Sequence, residues 1–194
     1  KMFSELGAKV FIVEIGNPKA ARTRLDEATA IWFPGGSQAV LYEALEKSDL
    51  VKYIRDRHTQ GLPIGGTSAG AAVMSAVMIP VMPGKPALRV GNTPTTPGLG
   101  LAPGLIIDQH FIARHRMNRL ISAVLDHPNQ VGVGIGEATA IVVHGDTFNV
   151  RGKGSVIVID ARKVRISIGK AGDLQSGIGI DLCVFKAGQN FRFK

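Results

Sequence analysis

The sequence holds a single cysteine, Cys183, so an intrachain disulfide is excluded, and no Cys-x-x-Cys or Cys/His spacing suggests a metal site. Tryptophan occurs once and tyrosine twice, and no run of five or more basic residues exists. Proteins that grip single-stranded nucleic acid stack bases on aromatics along a basic groove, so this composition argues against such a partner. No stretch of eighteen or more apolar residues marks a membrane-spanning helix. No secretory leader is visible, and a single cysteine suits a reducing compartment, so a cytoplasmic location is expected. The chain opens at Lys1 without an initiator methionine, which predicts a preceding segment and leaves a secreted form open. Carboxylates are locally scarce too: none occurs between Asp56 and Asp108.

What is present fits one α/β domain over residues 1–194. The chain is 45% hydrophobic and 20% charged, enough apolar material for a sizeable core. Its 24 glycines predict many tight turns or close backbone approaches. The formal charge of +8 has two readings, a lysine-rich surface or an affinity for an anionic partner.

Apolar patterning predicts a helix tail over residues 1–7 ending at Gly7, and a buried strand from Val10 to Ile15. A polar stretch follows over 17–29. A strand through Ile31, Trp32 and Phe33 then runs into Pro34-Gly35-Gly36. Helices are predicted over 38–48 and 49–60, a short strand from Ile64 to Gly66, and a small-residue helix from Ser68 to Met78. Residues 80–104 carry six of the ten prolines and read as a long loop. A strand over 105–107 and a helix over 115–126 come next. Strands follow over 131–135, 140–143, 147–150, 155–159 and 164–168, with Gly145-Asp146 as a hairpin turn and a β-pair in the last twenty residues. Alternating strand and helix in the first half predicts a doubly wound, mainly parallel sheet with antiparallel strands toward the C-terminus. The strands ending near Phe33, Gly66 and Ile107 should lie parallel in one sheet and point their carboxyl ends at one cleft.

Gly66-Thr67-Ser68-Ala69-Gly70 matches G-x-S-x-G between an apolar strand and a small-residue helix. A serine on such a sharp turn is exposed as a nucleophile, and the following helix aims its first amides at developing negative charge. The bland alternative is a glycine-rich turn with Ser68 as an ordinary N-cap. A serine needs a base. Among the five histidines, His110 sits where the apolar Ile106-Ile107 run exits into Asp108-Gln109; His58 and His127 read as solvated.

Four segments in order, residues 34–45 (PGGSQAVLYEAL), 65–75 (GGTSAGAAVMS), 97–120 (PGLGLAPGLIIDQHFIARHRMNRL) and 131–148 (VGVGIGEATAIVVHGDTF), resemble the cyanophycinase branch of the serine peptidases related to aspartyl dipeptidase, or peptidase E. The resemblance implies a flavodoxin-like, class-I-glutamine-amidotransferase-like α/β fold. It implies hydrolysis of a β-linked aspartyl-arginine polymer, cyanophycin, to dipeptides. It makes Ser68 the nucleophile, His110 the base, and the amides of Gly36 and Ala69 the oxyanion donors. Gln38, Asp108, Gln109, Arg114, Arg116 and Arg119 match positions lining the family's substrate pocket. Three arginines beside a histidine would suit a ligand with carboxylates, although a solvated helix face has the same composition. No cofactor or metal is implied, and a homodimer is expected.

The chain departs from the family in lacking its first strand and in its acid-free loop. A third triad member must come from elsewhere, and the resemblance to aspartyl dipeptidase, whose members place a Glu in a similar post-strand turn, makes Glu137 the candidate. A dipeptidase for small aspartyl or isoaspartyl peptides, and an inactive relative that only binds peptide, are the alternatives. The order Ser68, His110, Glu137 differs from the Ser, Asp/Glu, His order of α/β-hydrolase esterases.

Overall fold

A computed structural model describes residues 2–80, 87–167 and 169–194. The chain opens with α1 (Met2–Glu5) and α2 (Pro18–Glu27), continues through β1 (Ile31–Phe33), α3 (Gln38–Lys47) and α4 (Leu50–Thr59), and reaches β2 (Ile64–Gly66). Then come α5 (Ala69–Ala72), β3 (Val77–Met78), β4 (Thr96–Pro97), β5 (Leu105–Gln109), α6 (Met117–Asp126) and β6 (Val131–Ile135). The remainder is β-structure: β7 (Thr139–His144), β8 (Thr147–Gly152), β9 (Val156–Asp160), β10 (Arg165–Ser167), β11 (Ser176–Ile178), β12 (Asp181–Phe185) and β13 (Asn190–Arg192).

A mixed four-stranded sheet of order β12-β9-β6-β5 forms the centre. β5 and β6 run parallel, with Leu105 opposite Val131 and Gln109 opposite Ile135. β9 and β12 add antiparallel. Alternation along β5 explains why it reads as a continuous apolar run. Leu105 and Ile107 face one core with Val131, Val133, Phe148, Val150 and Phe193; Ile106 faces another with Leu120, Val124, Ile157 and Ile159 from α6 and β9. The first of these cores lies against a second sheet, β13-β8-β7, and the other lies under α6. A third core joins Ala21 and Leu25 of α2, Phe33 of β1, Leu45 of α3, and Leu50 and Ile54 of α4.

Several expectations are corrected. The polar stretch 17–29 forms α2, capped by Asn17 Oδ1 on the Ala20 amide at 3.1 Å with Pro18 at the first helical position. Val10 to Ile15 forms no strand. Its alternation survives, with Val13 and Ile15 packed inward and Val10 and Ile12 exposed, but among the described residues no neighbouring strand pairs with it. The helix after Ser68 lasts one turn. β1 and β2 pair parallel, Phe33 opposite Gly66, but no ladder joins them to β5. The Ile107 amide donates instead to Ser75 Oγ at 2.8 Å, so the segment after Ser68 occupies that edge of β5. The last strands do not pair with each other: β11 joins β10, β12 joins β9 and β13 joins β8. Parts of the 80–104 loop and of the 164–168 strand lie outside the described residues. Among the described residues, no helix is long and apolar enough to cross a membrane.

Candidate active site

Ser68 ends the short path out of β2 with φ 53° and ψ −116°, a conformation that L-residues rarely adopt. The flanking glycines are there for space. A Cβ at Gly66 would fall 2.3 Å from the Gly70 carbonyl oxygen, and one at Gly70 would fall 2.1 Å from the Phe33 carbonyl oxygen. The parallel β1–β2 pair, extended by the Thr67 amide donating to Phe33 O at 3.0 Å, brings the Pro34-Gly35-Gly36 turn against the serine. A Cβ on Gly35 would sit 3.6 Å from Ser68 Cβ. Ala69 opens α5, and a first-turn amide has no carbonyl of its own helix to bond.

His110 follows the last residue of β5 with φ 50°. Glu137 lies two residues past the end of β6, just before Ala138 at φ 51°. Because β5 and β6 are parallel neighbours, the turns at their carboxyl ends face each other. The imidazole bridges them to the serine: Ser68 Oγ lies 2.9 Å from His110 Nε2, and His110 Nδ1 lies 2.5 Å from Glu137 Oε1. An ionised carboxylate only accepts, so Nδ1 carries the proton and Nε2 is left to accept from the serine hydroxyl. The histidine side chain is 27% exposed and that of the glutamate 60%, so the line of groups ends at the rim of a cleft.

That cleft measures about 940 Å³ and is lined by Ser68, Gln109, His110 and Glu137 together with Trp32, His58 and His144. His58, expected to be solvated, is exposed and lies on the cleft wall, and neither Trp32 nor His144 is among the expected site residues. Trp32 carried one signal, its place in the strand that feeds the Gly35-Gly36 turn. Among the described residues, no lysine, arginine or aspartate lines the cleft.

Of the six residues expected to bind substrate, Gln109 lines the cleft. Gln38 is buried and donates from Nε2 to Ile79 O at 2.7 Å. Asp108, Arg116 and Arg119 form a buried cluster, only 2%, 5% and 5% exposed, that turns inward. Arg119 donates to both Asp108 oxygens. Arg116 Nη1 reaches Asp108 Oδ1 at 3.2 Å, Gln109 Oε1 at 2.9 Å and Gln109 O at 2.7 Å. Burial pushes the Arg116 guanidinium below the ordinary arginine range, Arg119 adds to this, and Asp108 opposes it. Arg116 also borders a smaller hollow with Phe111 and His115, and Arg114 is exposed on the turn between β5 and α6.

The model of peptidase family S51 matches residues 1–151 of this chain. The chain belongs to peptidase family S51. A cyanophycinase from Geminocystis herdmanii (strain PCC 6308) is 38% identical over 169 residues, covering 83% of this chain and 62% of that protein. Peptidase E of Haemophilus influenzae is 27% identical over 164 residues, covering 80% of this chain and 72% of its own. Among solved structures, a peptidase from an acI-B1 Actinobacterium matches with a TM-score of 0.67 at 22% identity, over 98% of this chain and 72% of that one. This S51 chain therefore has the α/β fold of the peptidase E-like structures, in agreement with the flavodoxin-like expectation. It spans a little over half the length of the cyanophycinases it matches, between 53% and 62%.

Proposed function

We propose that this S51 protein is a serine-type exopeptidase that releases β-aspartyl-arginine dipeptides from cyanophycin. The observation that carries the reading is the hydrogen-bonded line Ser68–His110–Glu137 on the cleft. Five cyanophycinases at 37–39% identity support the substrate.

In this reading His110 Nε2 takes the Ser68 proton as Oγ attacks the scissile carbonyl carbon. The amides of Ala69 and Gly36 receive the oxyanion as the carbonyl π-bond opens. His110 then passes the proton to the leaving amine nitrogen and the C–N bond breaks, giving an ester on Ser68. Water repeats the cycle: it loses a proton to His110, adds to the ester carbonyl, and releases the acid while Ser68 regains its hydrogen. Glu137 holds the imidazole tautomer and balances the charge it gains.

The direct test is release of soluble dipeptide from purified cyanophycin, followed by mass spectrometry. Wild-type protein should release β-aspartyl-arginine, and Ser68→Ala should not. Cleavage of isoaspartyl dipeptides with polymer left intact would favour the small-peptide reading instead. Polymer binding without cleavage by the wild-type protein would mark a binding-only relative.

A further inference from the structure

Trp32 sits in the middle of β1, opposite Gly65 of β2. Its ring lies across that glycine: a Cβ there would fall 2.5 Å from Cζ3 and 2.6 Å from Cε3. The space vacated by the absent side chain at 65 is the space the indole fills. Phe3 packs against the ring in an edge-to-face arrangement with centroids 5.0 Å apart. A ring buttressed this way would ordinarily be covered. This one is 46% exposed and opens on the cleft that holds Ser68, three residues beyond Gly65.

The charge around it is out of character with the rest of the molecule. The chain has 23 lysines and arginines and a formal charge of +8. Among the described residues, none of those cations lines the cleft, whose single formally charged side chain is Glu137 beside the three titratable histidines His58, His110 and His144. His58 donates from Nδ1 to the Leu62 carbonyl at 3.1 Å, which leaves Nε2 as the acceptor of a neutral ring. A half-exposed indole in a cleft whose described lining holds no lysine or arginine can receive a cation. The indole quadrupole is negative over its face, and a flat guanidinium stacks on it better than a compact ammonium does.

We infer that Trp32 is a specificity-determining residue of this cleft, stacking its indole on a planar cationic side chain of the peptide. This rests on the reading that the cleft takes peptides, and it reassigns recognition: charge selection falls to Trp32, while Glu137 is held by His110 and Arg116 and Arg119 are committed to Asp108. The competing explanation is that Trp32 only packs, as the partner of Phe3 and Gly65.

Trp32 is the only tryptophan of the chain, so intrinsic fluorescence reports on this ring alone. In the Ser68→Ala protein, which binds without turnover, a β-aspartyl-arginine peptide should change the fluorescence saturably. The same peptide with neutral citrulline in place of arginine should bind roughly 3- to 30-fold more weakly, the span expected for a cation over an indole. In the active protein, Trp32→Leu should lower the arginine-over-citrulline preference in kcat/KM by the same factor, and Trp32→Phe should restore part of it. Equal affinity for the two peptides, no fluorescence response, or an unchanged preference in Trp32→Leu would each overturn the inference. The titration reads binding, so it stands or falls apart from whether Ser68 cleaves.

Discussion

Arg116 Nη1 donates to the backbone carbonyl of Gln109 at 2.7 Å, and Gln109 is the residue that delivers His110. The same nitrogen holds the Gln109 side chain and Asp108, so one guanidinium closes the turn between β5 and α6 on itself. Arg116→Ala removes a donor from a buried carbonyl and from a carboxylate that Arg119 still pairs, a loss of about 1–3 kcal/mol for buried acceptors left short of a donor. Arg116→Lys keeps the charge and loses the fork. It should melt lower and show kcat reduced by roughly tenfold, the worth of one or two buried hydrogen bonds, with a smaller change in KM. A raised KM with kcat untouched would instead mark Arg116 as a direct substrate contact.

The glycines around the serine should be intolerant of a single methyl group. At Gly70 the added carbon meets backbone, the Phe33 carbonyl at 2.1 Å, and cannot be relieved by a rotamer change. At Gly134 it meets the Phe111 ring at 2.3 Å, next to His110. Gly134→Ala should cost about 1–3 kcal/mol of stability from overpacking. Gly70→Ala should lose serine reactivity even where circular dichroism shows a folded chain. Urea melts and labelling of Ser68 by a fluorophosphonate check both.

Ser68 and His110 were legible because a strained turn and a strand exit each leave local marks, small residues in one case and an apolar-to-polar step in the other. Glu137 entered through the family resemblance alone, and its place beside His110 depends on β5 and β6 being parallel neighbours, which no local pattern states. Arg116 and Arg119 were not legible. Helical spacing puts them on one face, but whether that face meets water or Asp108 depends on how α6 lies over β5. The fold shows the same divide. α2 carries a cap signal at Asn17-Pro18, yet only Ala21 and Leu25 of its ten residues are buried, too few for a clear helical period. The late strands were visible as strands. Their partners were not, because Asp181–Phe185 pairs with Val156–Asp160 across more than twenty residues, and alternation alone does not choose a partner.

Acid stability should depend on a pair far from the cleft. Arg162 forks onto Asp160, with Nη2 at 2.6 Å from Oδ2, and spends Nη1 on the carbonyl of buried Phe193 at 2.7 Å. Hydrogen bonding from Arg162 holds the Asp160 carboxyl below the ordinary aspartate range against a burial effect that opposes it, and the same bond pushes Arg162 upward. The folded carboxyl releases its proton more readily than the unfolded one. Its contribution is therefore complete above the unfolded value, about 3.9, and is lost as pH falls through the lower folded value. With the pair partly solvated, this is worth about 0.5–1 kcal/mol. Arg162→Ala should melt lower than wild type at neutral pH, and the gap should narrow below about pH 4. A gap constant across pH would remove the ionic explanation and leave only the bond to Phe193.

Glu137→Gln replaces a carboxylate that only accepts with an amide that can also donate from Nε2, so the tautomer with its proton on His110 Nδ1 is no longer enforced. Turnover of β-aspartyl-arginine peptide should fall by about 10³- to 10⁴-fold with the fold intact. A loss under tenfold would make Glu137 a bystander on the rim.

Whether Ser68 is an activated nucleophile is read by intact-mass measurement after treatment with a fluorophosphonate. One adduct per chain is expected, mapped by peptide sequencing to Ser68, absent in Ser68→Ala and strongly slowed in His110→Ala. No adduct on the folded protein, or an adduct that persists in Ser68→Ala, would contradict it.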